Sequence, residues 1–151
     1  MKIETLHYGE VDVDERYVID FEAGIPGFPE LRRFALVEPE AGSLFWFMQS
    51  VEDAAVSFLI VNPFVFYPSY EFELDESNKR ELELNDPSEL LLYCIVSTHG
   101  SVQHSTINLL APVVINSSNR RGKQIILHDS PYQPRHPLFQ PQPTPARKEE
   151  V

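Results

Sequence analysis

The chain of 151 residues has a single cysteine, Cys94, and therefore cannot form an internal disulfide bond. It contains no run approaching the roughly 20 consecutive apolar residues of a membrane-spanning helix. The first 15 residues include Lys2 but no apolar run behind it, so they do not resemble a secretory signal. These absences predict a cytoplasmic protein that has no membrane partner.

The sequence also lacks the motifs of common catalytic and metal-binding sites. It has no glycine-rich phosphate loop, no nucleophile elbow of the Gly-x-Ser-x-Gly type and no His-Glu-x-x-His pair. Cys94 lies inside an apolar run, which is typical of a buried structural thiol. The spacing of His99, His104 and His128 matches no zinc signature. We expect no catalytic residue, no cofactor and no metal.

Basic residues are scarce, with 12 lysines and arginines against 23 acidic residues and a net charge of -11. Residues 1–130 hold 21 acidic and 9 basic residues, a balance of -12, so this part of the chain carries all of the negative charge. Such a surface repels the phosphates of nucleic acids and attracts basic proteins. Direct nucleic-acid binding is therefore not expected.

The sequence is rich in short segments typical of β-strands. Two continuous apolar runs, 58–61 and 90–96, are predicted to be strands buried on both faces, with Leu59 and Ile95 fully buried. Turn signals separate such segments roughly every 8 to 12 residues. The pattern predicts an all-β fold, a single antiparallel β-barrel-like domain of about ten short strands with at most one or two helical turns.

Helices have only two candidate positions in the sequence. Pro29 is well placed to begin one helical turn over residues 30–33. A helix over residues 89–96, within an α+β domain, is the alternative to the second buried strand, although the β-branched Ile95 and Val96 favour the strand.

The end of the chain differs in composition, since six of residues 131–151 are proline. Low-complexity sequence of this kind does not build a packed core. We predict a β-barrel-like domain over residues 1–130 and a largely disordered Pro-rich tail over residues 131–151. Part of the tail is expected to dock through Leu138 and Phe139.

A segment with a two-residue period follows the first buried strand. This period predicts a half-exposed strand with one apolar face and one acidic face. The inward residues are Tyr70, Phe72 and Leu74, and the outward carboxylates are Glu71, Glu73 and Asp75, continued by Glu76. The acidic row has two interpretations, a solvated strand edge that resists unwanted pairing and an electrostatic docking surface for a basic partner.

Six motifs follow one another in a fixed order along residues 1–130. They are FEAGIPGF at 21–28, FMQSVED at 47–53, FLIVNP at 58–63, PSY at 68–70, NLLAPVVIN at 108–116 and QIIL at 124–127. Together they resemble the FliW family of bacterial flagellar assembly factors. Leu84-Asn85 stands where the family shows Leu-Gly-Leu, which affects only a turn, and the Pro-rich tail lies outside the resemblance.

The resemblance implies an antiparallel β-barrel-like protein that is not an enzyme. FliW-like proteins bind flagellin in the cytoplasm, acting as a chaperone on its C-terminal region, and also bind the translational regulator CsrA. When flagellin occupies such a protein, CsrA is free to repress translation of the flagellin message. When flagellin is exported, CsrA is sequestered. The implied mechanism is a partner exchange that couples flagellin synthesis to export.

Two candidate binding surfaces follow from this resemblance. CsrA must be basic where it holds RNA, so an acidic row is a plausible counterpart. The amphipathic flagellin termini require an apolar groove with a polar rim. The candidate partner-binding residues are Tyr70, Glu71, Glu73, Asp75 and Glu76 for the acidic row, and Phe45, Phe47, Phe64 and Phe66 for the apolar groove. For the four phenylalanines, ordinary core packing is the simpler interpretation.

Two other classes of function stay open at this point. A small-ligand-binding or enzymatic β-barrel would have a deep cavity in which polar groups converge. A structural subunit would have a large self-complementary apolar patch. A partner-binding protein is distinguished from both by a filled barrel and an outer surface that carries the function.

Overall fold

The computed structural model describes residues 1–139. Within this range the chain forms eleven β-strands, two short α-helices and three single 3₁₀ turns. The strands are β1 (Lys2–Thr5), β2 (Gly9–Asp12), β3 (Val18–Asp20), β4 (Arg33–Val37), β5 (Phe45–Ser50), β6 (Ser57–Val61), β7 (Leu90–Ser97), β8 (Thr106–Ile107), β9 (Val113–Asn116), β10 (Arg121–Gln124) and β11 (His136–Pro137). The helices are α1 (Pro63–Phe66) and α2 (Glu76–Glu81), and the 3₁₀ turns are Glu15–Tyr17, Pro87–Glu89 and Val102–His104.

Seven strands close into a barrel in the order β9-β10-β3-β4-β5-β6-β7, because β7 pairs with β9 as well as with β6. The pairs around the ring are antiparallel except β10 with β3, which run parallel where Arg121 meets Asp20. β8 and β11 extend the sheet beyond β7, and β1 and β2 form a separate hairpin. The predicted all-β barrel is confirmed, with one parallel pair that the sequence pattern did not indicate.

Side chains fill the barrel interior. The ring of Phe34 lies 5.5 Å from that of Phe21 and 6.0 Å from that of Phe58. Met48 and Ile60 pack into the same cluster and are completely buried. Small barrels are normally filled in this way, so the space for binding lies on the outside of the barrel.

Three clusters of apolar residues cover the outer face of the sheet. The β1–β2 hairpin buries Ile3 against Ala35, and the C-terminal segment buries Leu138 with Cys94. The region around α2 buries Leu82 against Val114. Strands β6 and β7 therefore have covered surfaces on both sides, as their apolar sequences predict, but the cover is incomplete on β7, where Leu91 is 37% exposed.

The prediction that Leu59 and Ile95 are fully buried is wrong. Both side chains are half-buried, whereas their neighbours Ile60 and Cys94 have no exposed surface. Leu59 packs at the margin of the outer cluster, which covers it only in part, and Ile95 packs against the edge of the interior cluster. A continuous apolar run identifies the strand but does not identify its most buried residue.

The two predicted helical positions are also not helical. Residues 30–33 continue from a turn into β4, since the backbone N–H groups of Arg32 and Arg33 donate to the carboxylate of Glu52 at 3.2 and 3.1 Å. The carbonyl of Arg32 accepts from the N–H of Phe21 at 2.7 Å, which holds the chain extended beside β3. The alternative helix over 89–96 is replaced by β7.

The first part of the predicted tail belongs to the folded body. β11 pairs with β8, and the N–H of Leu138 donates to the carbonyl of Ser105 at 2.9 Å. Leu138 is buried, as its predicted docking requires, while Phe139 stays exposed at the surface. The predicted disorder of residues 140–151 falls outside the described residues.

Candidate functional site

The acidic row predicted over residues 70–75 has the expected faces but is not a β-strand. The backbone N–H of Glu71 donates to the hydroxyl oxygen of Tyr132 at 3.1 Å, a side chain and not a neighbouring strand. Tyr70 is buried and Phe72 and Leu74 are half-buried, while the carboxylates between them are exposed. The two-residue period predicted the direction of each side chain correctly, although no sheet ladder forms.

Tyr70 anchors this segment to the body. Its hydroxyl donates to the carbonyl of Leu109 at 2.8 Å, and its ring lies 4.7 Å from that of Tyr132. Burial, followed by the proximity of Cys94, raises the pKa of the Tyr70 hydroxyl. Burial also raises the pKa of the Cys94 thiol to about 12, as expected for a structural cysteine. Tyr70 is 4% exposed, so it holds the segment that carries the acidic row against the body of the protein.

The four predicted carboxylates differ in what they bind. Asp75 is the N-cap of α2 and accepts from the N–H of Asn78 at 2.8 Å. Glu76, which the sequence placed at the end of the acidic row, begins α2 and lies 3.3 Å from the ammonium group of Lys79. Within residues 1–139 the carboxylates of Glu71 and Glu73 have no protein partner. These two are the carboxylates most available to a binding partner.

A groove of about 900 Å³ separates the acidic row from residues 123–131. Its apolar floor includes Phe72, Leu74, Ile125 and Leu127, and its rim carries Glu71, Glu73, Asp75 and Asp129. The ammonium group of Lys123 at one end is held by Glu81 at 2.9 Å and by Asn78 at 2.7 Å. The one lysine in the lining is therefore neutralised, and the rim above the apolar floor is negative. We call this feature the acidic groove.

The opposite wall of the acidic groove was not among the predicted site residues. Ile125 is buried, Ile126 is 54% exposed and Leu127 is half-buried, so the stretch alternates as the acidic row does. After β10 the chain runs along the acidic groove opposite residues 71–75. The spacing of these segments in the sequence does not indicate that they lie side by side. The motif at 124–127 has three consecutive apolar residues and no polar–apolar alternation, so no signal in the sequence indicated this wall.

The four candidate phenylalanines do not line one groove. Phe66 contacts Phe45 and Phe139 with ring distances of 6.0 and 6.2 Å, and Phe64 lies 6.0 Å from Tyr70. Phe64 and Phe139 are 43% and 44% exposed. We call Phe45, Phe64, Phe66 and Phe139 the aromatic surface. The ordinary core interpretation does not hold for Phe64, since its ring reaches the surface.

Phe47 belongs to a different part of the molecule. Its ring lies 4.5 Å from His7 and 5.9 Å from Tyr8, at the loop of the β1–β2 hairpin. Phe45 and Phe47 point to the same side of β5, but the hairpin covers only Phe47. The prediction that all four phenylalanines form one groove is therefore wrong for Phe47.

Residues 1–139 contain neither a cluster of metal-binding side chains nor a membrane-spanning helix. No group of three or more histidine, cysteine, aspartate or glutamate side chains in this range is arranged to hold a metal ion. None of its helices has the length and apolar character needed to cross a membrane. His99 contacts Thr106, the first residue of β8, at 3.0 Å, and His104 contacts Ser101 at 2.7 Å in the exposed loop before β8.

Comparison with known proteins gives one consistent result. The profile of the family described as FliW protein matches residues 2–138. The flagellar assembly factor FliW of Natranaerobius thermophilus is 37% identical over 148 residues, which cover 97% of this chain and 98% of that protein. The flagellar assembly factor FliW of Bacillus subtilis is 38% identical over 138 residues, covering 91% and 96% respectively.

A solved structure agrees with these sequence matches. The crystal structure of the flagellar assembly factor FliW superposes with a TM-score of 0.88 and 36% sequence identity. The superposition covers 94% of this chain and 99% of that chain. With the family profile extending from β1 to β11, the chain belongs to the FliW family.

Proposed function

We propose that this FliW-family flagellar assembly factor acts in the cytoplasm by binding two protein partners in turn and catalyses no reaction. The partners are flagellin, bound through its C-terminal region, and the translational regulator CsrA. The acidic groove is the observation that carries the proposal, because it combines an apolar floor with a rim of carboxylates, of which Glu71 and Glu73 have no protein partner within residues 1–139. Such a groove suits a segment of a basic protein.

The acidic groove is the proposed surface for CsrA. An RNA-binding protein must be basic where it holds phosphate, so its surface complements Glu71 and Glu73. Both carboxylates lie at the rim with no protein partner in the described part of the chain, so they lose no ion pair when a basic partner approaches. Phe72 and Leu74 in the floor add apolar contact area.

The aromatic surface is the proposed site for the C-terminal region of flagellin. An amphipathic helix binds by placing apolar side chains against an apolar patch. Phe64 and Val65 on α1 are 43% and 50% exposed, and Phe139 lies against Phe66 beside them. Exposed aromatic rings grouped in this way are typical of protein interfaces.

Tyr70 links the two proposed surfaces. Its ring lies 6.0 Å from Phe64 in the aromatic surface, and the next residue along the chain is Glu71 in the acidic groove. A partner that moves Phe64 therefore also shifts Tyr70, the residue that anchors the acidic row to the body. This connection supports an exchange in which flagellin weakens CsrA binding, and thermodynamic linkage requires the converse by the same factor.

The test is a titration of flagellin into a preformed complex of this protein with fluorescently labelled CsrA. We expect the labelled CsrA to be released as flagellin is added, measured as a fall in fluorescence anisotropy. A stable ternary complex in which both affinities are unchanged would exclude the exchange. Failure of both partners to bind the isolated protein would exclude the proposed function itself.

A small-ligand-binding β-barrel is the weaker candidate. Such a barrel requires an interior cavity, but Phe21, Phe34 and Met48 fill this interior without exposed surface. The acidic groove is an open feature of the outer face, built from residues outside the barrel core. A filled barrel with a charged outer groove favours the binding of a protein partner.

A further inference from the structure

A second cavity of about 410 Å³ lies where β4 ends and β5 begins, between the barrel and the β1–β2 hairpin. One wall comes from the hairpin and the residues after it, including Val11, Asp12 and Asp14. The other wall comes from the barrel and includes Glu38 and Trp46. No residue of this cavity lines the acidic groove, so it is a separate place on the molecule.

Aromatic rings form much of the cavity lining. Tyr17 and Trp46 lie with ring centroids 6.4 Å apart and planes inclined at 48°. Tyr17 is 40% exposed and Tyr8, which also lines the cavity, is 49% exposed. The faces of aromatic rings carry negative charge density and attract cations.

Carboxylates stand beside these rings. Asp12, Asp14 and Glu38 are all exposed and line the same cavity. Asp12 forms an ion pair with the ammonium group of Met1 at 3.1 Å, so a cation already lies beside this edge of the cavity. Burial, followed by electrostatic interaction with Tyr17 and Glu38, raises the pKa of the nearby Tyr93.

The chain's own Arg16 shows which cation these residues hold. Its guanidinium carbon lies 5.3 Å from the centre of the Tyr17 ring, and its Nε lies 3.2 Å from Asp14. Two residues that line the cavity thus bind a guanidinium group by stacking and by an ion pair at once. Lysine satisfies this pair of contacts less well, because an ammonium group is not planar and does not stack.

We propose that this aromatic–acidic cavity, defined by Tyr17, Trp46, Asp14 and Glu38, binds an arginine side chain of a protein partner. The volume accommodates one long side chain. The site goes beyond the function proposed above, since it provides a contact point apart from both the acidic groove and the aromatic surface. It selects partners that present an arginine on an exposed segment.

Trp46 is the one tryptophan in the sequence, so its fluorescence reports on this cavity. The probe is the capped tripeptide acetyl-Gly-Arg-Gly-amide, titrated through the millimolar range at low salt. We expect a saturable change in Trp46 fluorescence, a weaker change with the lysine tripeptide and none with the citrulline tripeptide, which has nearly the same shape without the charge. An equal response to arginine and citrulline, or no saturable response to arginine, would overturn the proposal.

Variants separate the cavity from the general negative charge of the protein. Tyr17→Leu and Glu38→Gln should each weaken arginine binding about threefold or more, in line with the loss of one cation–π or charge contact. Glu10→Gln is the matched control, because Glu10 is exposed on the same hairpin and does not line the cavity. Arg16→Gln should tighten binding, since it frees Asp14 and the face of Tyr17.

Two outcomes of this series would contradict the proposal. The first is an equal loss of affinity in Glu10→Gln and Glu38→Gln, which would mean that net charge alone attracts the peptide. The second is undiminished binding to folded Tyr17→Leu protein, with folding checked by circular dichroism. Neither outcome depends on flagellin or CsrA, so the result is independent of the proposed partner exchange.

Discussion

The hydroxyl of Tyr70 donates a 2.8 Å hydrogen bond to the carbonyl oxygen of Leu109, and this buried contact fixes the start of the acidic row to the body of the protein. The two residues are 39 positions apart in sequence. Water has little access to either residue and does not replace this hydrogen bond, since Tyr70 is 4% exposed and Leu109 is fully buried. The geometry of the acidic row therefore depends on a hydrogen bond that is buried beneath it.

Removing the Tyr70 hydroxyl should destabilise the fold. Tyr70→Phe keeps the ring and leaves the carbonyl of Leu109 without a donor, which costs about 1–3 kcal/mol for a buried polar group. The measurement is the free energy of unfolding in urea. Tyr8→Phe is the matched control, because Tyr8 is exposed and its change should cost less than about 0.5 kcal/mol. Equal stability of Tyr70→Phe and the parent protein would show that the buried bond contributes nothing.

The faces of the acidic row could be predicted from sequence, but its backbone conformation could not. A two-residue period fixes which of Tyr70 and Glu71 points inward, whatever the hydrogen bonding. The partner of the Glu71 N–H is the hydroxyl of Tyr132, 61 positions away, and no local pattern indicates it. The helix that follows was missed because α2 has no buried residue and hence no apolar period, although Asp75 carries an ordinary capping signal.

Phe45 and Phe47 show a second limit of the sequence. They lie two positions apart on β5 and have the same chemistry, so their sequence positions predict one shared surface. The structure separates them because His7 and Tyr8 cover Phe47 from the hairpin, while Phe66 contacts Phe45. Barrel closure through β7 and β9 is similarly a long-range pairing, which strand patterns alone do not specify.

Two neighbouring residues on β6 should differ in how much their truncation to alanine destabilises the protein. Ile60→Ala should cost about 2–5 kcal/mol, because Ile60 is completely buried in the barrel interior. Leu59→Ala should cost less than Ile60→Ala, because Leu59 is half-buried on the outer face. The comparison is made by urea unfolding of the two variants. A larger loss for Leu59→Ala would mean that the outer cluster stabilises the barrel more than its interior does.

Alkaline pH should destabilise the protein through Cys94. The thiol has a pKa of about 12 in the folded protein, raised from 9.0 by burial. The unfolded chain thus releases this proton first, so the stability that the thiol contributes is complete below pH 9.0 and is lost as the pH rises towards about 12. The raised pKa of Tyr70 acts in the same direction.

The measurement for Cys94 is the urea midpoint of unfolding at several pH values above and below pH 9.0, the ordinary pKa of the thiol. Cys94→Ala should show a shallower fall than the parent, since Ala has no proton to lose. Alkylation of the thiol by iodoacetamide should also be slow until the protein unfolds. An unchanged pH slope in Cys94→Ala would place the alkaline sensitivity elsewhere, with Tyr70 as the next group to test.

The C-terminal segment should contribute to stability up to Leu138. Leu138→Ala should cost about 2–5 kcal/mol, because Leu138 is buried with Val96 and Ile107. Removal of residues 140–151 should leave the melting temperature unchanged, as the proline content of that sequence predicts. A large fall in melting temperature after this truncation would show that residues beyond Phe139 pack against the body.

The acidic row should control the rate at which a basic partner associates. Glu71→Lys combined with Glu73→Lys should leave stability within about 0.5 kcal/mol of the parent, since both carboxylates are exposed and unpaired in the described part of the chain. CsrA binding should weaken, chiefly through a slower association rate, because rim charges act on encounter. Flagellin binding should weaken less, since apolar contacts carry it. The measurement is association kinetics at low and high salt.

Salt and a matched control decide between the two interpretations of the acidic row. Screening by salt should reduce the difference between the double variant and the parent. Glu22→Lys with Glu30→Lys is the control, because both residues are exposed, change the net charge equally and do not line the acidic groove. An equal loss of CsrA binding in the control would mean that net charge alone steers the partner. Undiminished binding of the Glu71 and Glu73 variant at low salt would leave the row as a solvated edge, since charges at a true interface cannot be reversed without cost.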